Sequence, residues 1–246
     1  MLNANEGVNI LSKMTEHART DNEMNETPRI ALLHTGAVVI GPVMDIVKRE
    51  LPGVTAINYL DDRIVADLSD PELFDSVPRR VGALARAAAD AGAVAVMLTC
   101  SSISELAAPI SAEVGIPILR IDEAMADEAV AAGDRITVLA TLATTCAPTT
   151  RLIAERAKAA GRTPSINSVV VEGAFAAVSS GDRARHDVLV AAAIQKASES
   201  SDVVVLAQAS MASAAQICDV AVPVLTSMES GVKRLHQLLA ALPAKG

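Results

Sequence analysis

The sequence predicts an α/β fold of two pseudo-symmetric, doubly wound parallel-sheet lobes, with the active site in the cleft between them. Three observations carry this. Short apolar runs rich in Val, Ile and Leu recur without alternation, as in strands buried on both faces. Ala-rich stretches of helical periodicity separate those runs, which is the pattern of a parallel sheet wrapped by helices. The second half of the chain also repeats the first. Ile30-Ala-Leu-Leu-His-Thr35 matches Ile136-Thr-Val-Leu-Ala-Thr141, Val96-Met-Leu-Thr-Cys100 matches Val204-Val-Leu-Ala-Gln208, and Gly115-Ile-Pro-Ile-Leu119 matches Ala221-Val-Pro-Val-Leu225. The offsets are 106, 108 and 106 residues (30 to 136, 96 to 204, 115 to 221), too consistent for chance.

The elements follow in order. Residues 1–27 are polar, rich in Asn, Glu and Thr, and read as a mobile tail. A strand is expected from Arg29 to His34, broken by Thr35-Gly36, then a helix over 42–50 and a strand over 54–60. An Ala-rich helix over 78–91, a strand over 94–99, a helix over 104–114 and a strand over 116–120 complete the first half. In the second half, strands are expected over 136–140, 168–172, 203–206 and 222–225. Helices are expected over 149–160, 184–200 and 210–217. Lobe 1 then comprises 28–122 with a C-terminal helix at 227–246, and lobe 2 comprises 123–226.

Composition bounds the function. The 246 residues carry a net charge of −8, and Tyr59, Phe74 and Phe175 are the only aromatics. An acidic chain without stacking platforms argues against a nucleic-acid partner. Charges or turn residues interrupt every apolar run short of the roughly 18 residues a membrane helix needs. The N-terminal stretch has no apolar signal segment, so a cytoplasmic location without membrane partners is expected. Cys100, Cys146 and Cys218 are too few and scattered for a disulfide framework, and no Cys or His pair has metal spacing. The phosphate-binding and dinucleotide glycine patterns are absent, as is the serine-hydrolase elbow. No metal or cofactor is implied.

In open α/β sheets ligands bind beyond the carboxyl ends of the strands, which here are Thr35, Cys100, Thr141 and Gln208. Cys100 ends a buried strand among Thr99, Ser101 and Ser102, just before a helix. Ser102-Ile-Ser-Glu105 fits a capping box with Ser102 as the N-cap. A thiol facing free amides at a helix start is disposed toward the thiolate, a base or nucleophile. Thr141, Thr144 and Thr145, in a loop ahead of Pro148, offer donors to an anion such as a carboxylate, as does Thr35 in the first lobe. Cys146 and Cys218 read as packing residues. His34 can point either into the sheet or toward the cleft, while His186 reads as a solvent-facing or capping residue. Asp61-Asp62 reads as a solvated loop.

The segment Val96-Met-Leu-Thr-Cys-Ser-Ser102 resembles the first cysteine motif of the aspartate/glutamate racemase superfamily, which includes hydantoin racemases and relatives such as arylmalonate decarboxylase and maleate isomerase. Val138-Leu-Ala-Thr-Leu-Ala-Thr-Thr145 resembles the family's substrate loop, and the similarity runs over about residues 29–240. The resemblance implies two lobes, no cofactor, and a small carboxylate held between two cysteines on opposite faces of its α-carbon. Cys100 stands at the first of these positions and Gln208 at the second, in Leu206-Ala-Gln-Ala-Ser-Met211. An amide cannot exchange a proton near neutral pH, so ordinary two-base racemisation is not expected. The expectation is a Cys100-dependent isomerase or racemase-type reaction on a carboxylate, with decarboxylation of a malonate-type acid or carboxylate binding without chemistry as alternatives. Thr35, Thr99, Ser101, Ser102, Thr141, Thr144, Thr145, Gln208, Ala209 and Ser210 are the expected substrate contacts. A homodimer is a further expectation.

Overall fold

The computed structural model describes residues 27–243; the tail expected over 1–27 lies almost wholly outside them. Strand β1 (Arg29–His34) leads through a 3₁₀ turn at Ala37–Val39 into α1 (Ile40–Glu50). Strand β2 (Thr55–Leu60) precedes α2 (Ile64–Asp67) and α3 (Ser76–Asp90). Strand β3 (Ala95–Leu98) runs into a 3₁₀ turn at Ser101–Leu106 and α4 (Ala107–Val114), then β4 (Ile118–Arg120) and α5 (Glu123–Ala132). The second half follows with β5 (Arg135–Ala140), α6 (Ala143–Ala159), β6 (Ser165–Val170), α7 (Ala174–Ser179) and α8 (Arg183–Ser198). Strand β7 (Val203–Leu206), a 3₁₀ turn at Ala209–Met211, α9 (Ala212–Gln216), β8 (Val224–Thr226) and α10 (Ser227–Ala241) complete it.

The duplication read from the sequence is the architecture. The sheets have orders β2-β1-β3-β4 and β6-β5-β7-β8, all parallel. The matched segments pair in equivalent register: Ile30 with Ala95 in one sheet, Ile136 with Val203 in the other. The central strands β1, β3, β5 and β7 are buried almost throughout, because helices cover both faces.

Packing explains which helix goes where. Ala31, Leu33, Val96 and Leu98 meet Val77, Val81 and Ala85 of α3 and Ile110 of α4. On the opposite face Ile30, Leu32 and Met97 meet Val43 and Val47 of α1 and Val232 and Leu235 of α10. In the second sheet Val138, Ala140 and Val205 pack on α5 and α6, while Leu139, Val204 and Leu206 pack on α7, α8 and α9. The helix that follows each fourth strand therefore covers the other lobe's sheet. Truncating one such fully buried Leu to Ala costs about 2–5 kcal/mol, so these faces dominate stability.

Several sequence expectations need correction. Helix α6 begins at Ala143 rather than after Pro148, so Thr144, Thr145 and Cys146 lie in its first turns instead of a loop. Pro148 sits inside the helix, where its missing N–H leaves only the carbonyl of the exposed Thr144 without a partner from the next turn. The capping box at Ser102 does not form. Cys100 occupies the N-cap position, and Ser104 Oγ donates back to the Cys100 carbonyl at 3.1 Å. Helices α2, α5 and α7 had no expected counterpart, being short or of low amphipathicity.

Candidate active site

Four strand ends converge between the lobes. The turn after β3 lies against α6, and the turn after β1 lies against the turn after β7. Ser101 Oγ donates to the Ala207 carbonyl at 3.3 Å, joining the carboxyl ends of β3 and β7 directly. Glu105 pairs with Arg151 at 2.8 Å across the same boundary. Two surface depressions lie away from these strand ends, one lined by Arg120 and Arg156 and another by Pro164.

Cys100 is partly exposed, whereas Ser101 beside it is buried. Backbone geometry ties Cys100 to its counterpart. Cys100 has φ −130° and ψ 122°, Gln208 has φ −131° and ψ 138°, and each is the N-cap of a 3₁₀ turn. The duplication thus presents a thiol from one wall and a carboxamide from the other. Gln208 is anchored: its Oε1 accepts from Thr141 N–H at 2.5 Å and from Thr141 Oγ1 at 2.9 Å.

The remaining expected contacts divide by where their polar atoms go. Thr35 is buried at the end of β1, while Ser102, Ala209 and Ser210 are partly exposed in the 3₁₀ turns. Thr144 is exposed on the first turn of α6. Two hydroxyls are committed internally. Thr145 Oγ1 donates to Leu142 O at 3.1 Å, and Thr99 Oγ1 to Leu33 O at 2.9 Å. Thr99 and Thr145 therefore brace the strand ends.

Behind Cys100, His34 points into the sheet. It is fully buried, with Nδ1 2.8 Å from Thr99 Oγ1 and Nε2 2.9 Å from the Asn58 amide oxygen. Burial pushes its pKa below the ordinary value, against the opposing effect of the Asn58 bond, so the ring is neutral near pH 7. Thr99 Oγ1 lies within hydrogen-bond distance of both His34 Nδ1 and the Leu33 carbonyl, so β1, β2 and β3 are linked just under the site. Asn58 gave no signal in the sequence, being one polar residue in an edge strand.

His186 corrects its solvent-facing expectation: it is fully buried, with Nδ1 2.7 Å from Asp187 Oδ1, which also accepts from Ser213. Arg183, likewise not foreseen, donates to the Ser210 carbonyl at 2.8 Å and holds the turn after Gln208. Asp61 is not free in solvent but paired with Arg80, which also binds Asp67. Cys146 is buried, and burial pushes the Cys218 thiol pKa up. Among the described residues, no group of His, Cys, Asp and Glu gathers in a way that could hold a metal ion. No helix among them is long and apolar enough to cross a membrane.

Comparison with known proteins bears on the family and the fold. The family model for Asp/Glu/Hydantoin racemase matches residues 27–235. The chain belongs to that family. No curated relative matches it by sequence. Among solved structures it is similar to a glutamate racemase isoform from Bacillus anthracis, at TM-score 0.69 and 16% identity, covering 88% of this chain and 82% of that one. It also resembles an aspartate racemase homologue from Pyrococcus horikoshii, at TM-score 0.65 and 19% identity, covering 86% and 99%. Unliganded arylmalonate decarboxylase aligns at TM-score 0.55 and 18% identity, covering 88% and 95%. The racemase family and its two-lobed fold, expected from the sequence, are both borne out.

Proposed function

We propose that the chain is a cofactor-independent enzyme of the racemase/isomerase class in which the Cys100 thiolate acts on the carbon next to a carboxylate. The observation that carries this reading is the equivalence of Cys100 and Gln208 at matched strand ends, with only the first able to move a proton. The thiolate takes the α-proton, becoming a thiol, and the electron pair passes into the adjacent carboxylate as an enolate-like anion. The same thiol returns a proton to carbon. Amides at the start of the 3₁₀ turn after Cys100, together with Thr35, stabilise the charge. The Ser101–Ala207 contact spans the two lobes beside the site, so their opening is expected to ease substrate entry.

One-sided chemistry also accommodates decarboxylation of a malonate-type acid, in which loss of CO₂ makes the same anion and Cys100 supplies the proton. The single thiol favours this as the second reading. The test is α-hydrogen exchange in D₂O, followed by NMR, over a panel of malonates, amino acids and hydantoins. Cys100→Ser is expected to lower any exchange or CO₂ release by about 10²–10⁴. The reacting compound is expected to protect Cys100, and not Cys146 or Cys218, from alkylation. Protection without turnover across the panel, unchanged in binding by Cys100→Ser, would instead identify a carboxylate-binding protein.

A further inference from the structure

We propose that Gln208 supplies the hydrogen-bond donor for the substrate's anionic oxygen on the wall opposite Cys100. This rests on the Cys100 reading above and gives lobe 2 a defined part in it. The orientation of the Gln208 amide is fixed by its partner. A backbone N–H can only donate, so the atom 2.5 Å from Thr141 N must be the amide oxygen, and the Thr141 hydroxyl at 2.9 Å completes its acceptor capacity. The NH₂ group is then turned away from Thr141. It has no protein acceptor among the described residues, and it is not among the buried polar atoms lacking a partner. Gln208 itself is partly exposed and follows Ala207, whose carbonyl receives the interlobe bond from Ser101. Gln208 therefore keeps two N–H donors free at the end of β7, on the same backbone geometry that Cys100 has at the end of β3.

The chemistry selected by such a group is specific. A carboxamide NH₂ donates without titrating and favours an sp² oxygen bearing negative charge, either a carboxylate or the enolate derived from it. It disfavours a substrate that presents a donor or an ammonium group to that wall. The Thr141 donors, which would otherwise form an anion cradle in lobe 2, are spent on fixing the amide. The substrate class is thus an acid whose carboxylate oxygen bridges from the Cys100 side to the Gln208 amide.

Iodoacetate and iodoacetamide test this without knowledge of the substrate. In each, the thiolate attacks the α-carbon, a C–S bond forms and iodide leaves, but only iodoacetate carries a carboxylate on the attacked carbon. The ratio of their rates at Cys100, measured by mass spectrometry on the full chain, cancels the thiolate fraction. Gln208→Leu is expected to lower the iodoacetate/iodoacetamide ratio at least about tenfold, the value of a charge-assisted hydrogen bond. Gln208→Glu keeps an oxygen for Thr141 but turns an acceptor to the cleft, and is expected to lower the ratio further while leaving the fold intact. A ratio unchanged or raised in Gln208→Leu overturns the proposal, because a residue that merely braces Thr141 would release those donors to the anion. If Cys100 reacts with neither reagent faster than the unfolded chain does, the Cys100 reading itself fails, whatever the ratio.

Discussion

At the scale of single residues, chemistry was more legible than surroundings. Cys100 and Gln208 stood out because the repeat aligned them and strand ends are where such sheets bind ligands. Their second layer did not. Asn58 and Arg183 meet partners 24 and 27 residues away, and the Asp187 that holds the buried His186 accepts from Ser213, 26 residues on, separations that no local pattern encodes. His34 gives the clearest residue-level prediction. Its native pKa lies below the ordinary value of about 6.5 through burial, so between the two values the unfolded chain binds a proton that the native one refuses. Stability contributed by the neutral ring is present above about 6.5 and lost as pH falls toward the lowered value. Urea midpoints are expected to drop from pH 7.5 to pH 5.5, and His34→Gln is expected to flatten that slope. Asp127 belongs to a lower window. Burial opposes its charge, but Arg156 and Arg234 outweigh it and hold the carboxyl below its usual range.

At the scale of elements, long periodic segments and central strands were readable, and starts were not. The strand β1 has the bounds expected of it, because an uninterrupted apolar run admits one reading. Helix α6 begins six residues earlier than expected, since the proline that seemed to open it is tolerated a turn and a half inside. The capping box failed for a related reason: the turn after Cys100 is 3₁₀, which shifts the residue facing the free amides. Helix α10 carries a prediction of this kind. Gly231→Ala in an ordinary helix would stabilise by about 1 kcal/mol. Here a Cβ would stand 2.5 Å from the Ile121 carbonyl oxygen and 2.7 Å from Ile121 Cγ1. Backbone cannot yield as a side chain can, so the substitution is expected to destabilise by about 1–3 kcal/mol in urea unfolding.

At the scale of the whole molecule, polar contacts join the lobes near the site and again between α5 and α10. Asp127 of α5 binds both Arg156 of α6 and Arg234 of α10, and Arg156 also reaches Glu123. The Glu105–Arg151 pair on the cleft side is half exposed, worth no more than about 1 kcal/mol. Arg151→Ala is therefore expected to leave the unfolding midpoint nearly unchanged while speeding Cys100 alkylation a few-fold through easier opening. Added salt should produce the same acceleration in the unmodified protein and little in the variant.

The exchange of α5 and α10 between the sheets has a further consequence. Although the halves repeat each other, neither is a removable module: a cut between β4 and α5 would strip the second sheet of one cover, and loss of α10 would lay bare Ile30, Leu32 and Met97 in the first. Each half lends the other a wall. A duplicated gene product of this shape can diverge residue by residue at its strand ends, as Cys100 and Gln208 have, yet it cannot be divided again into the unit it repeats.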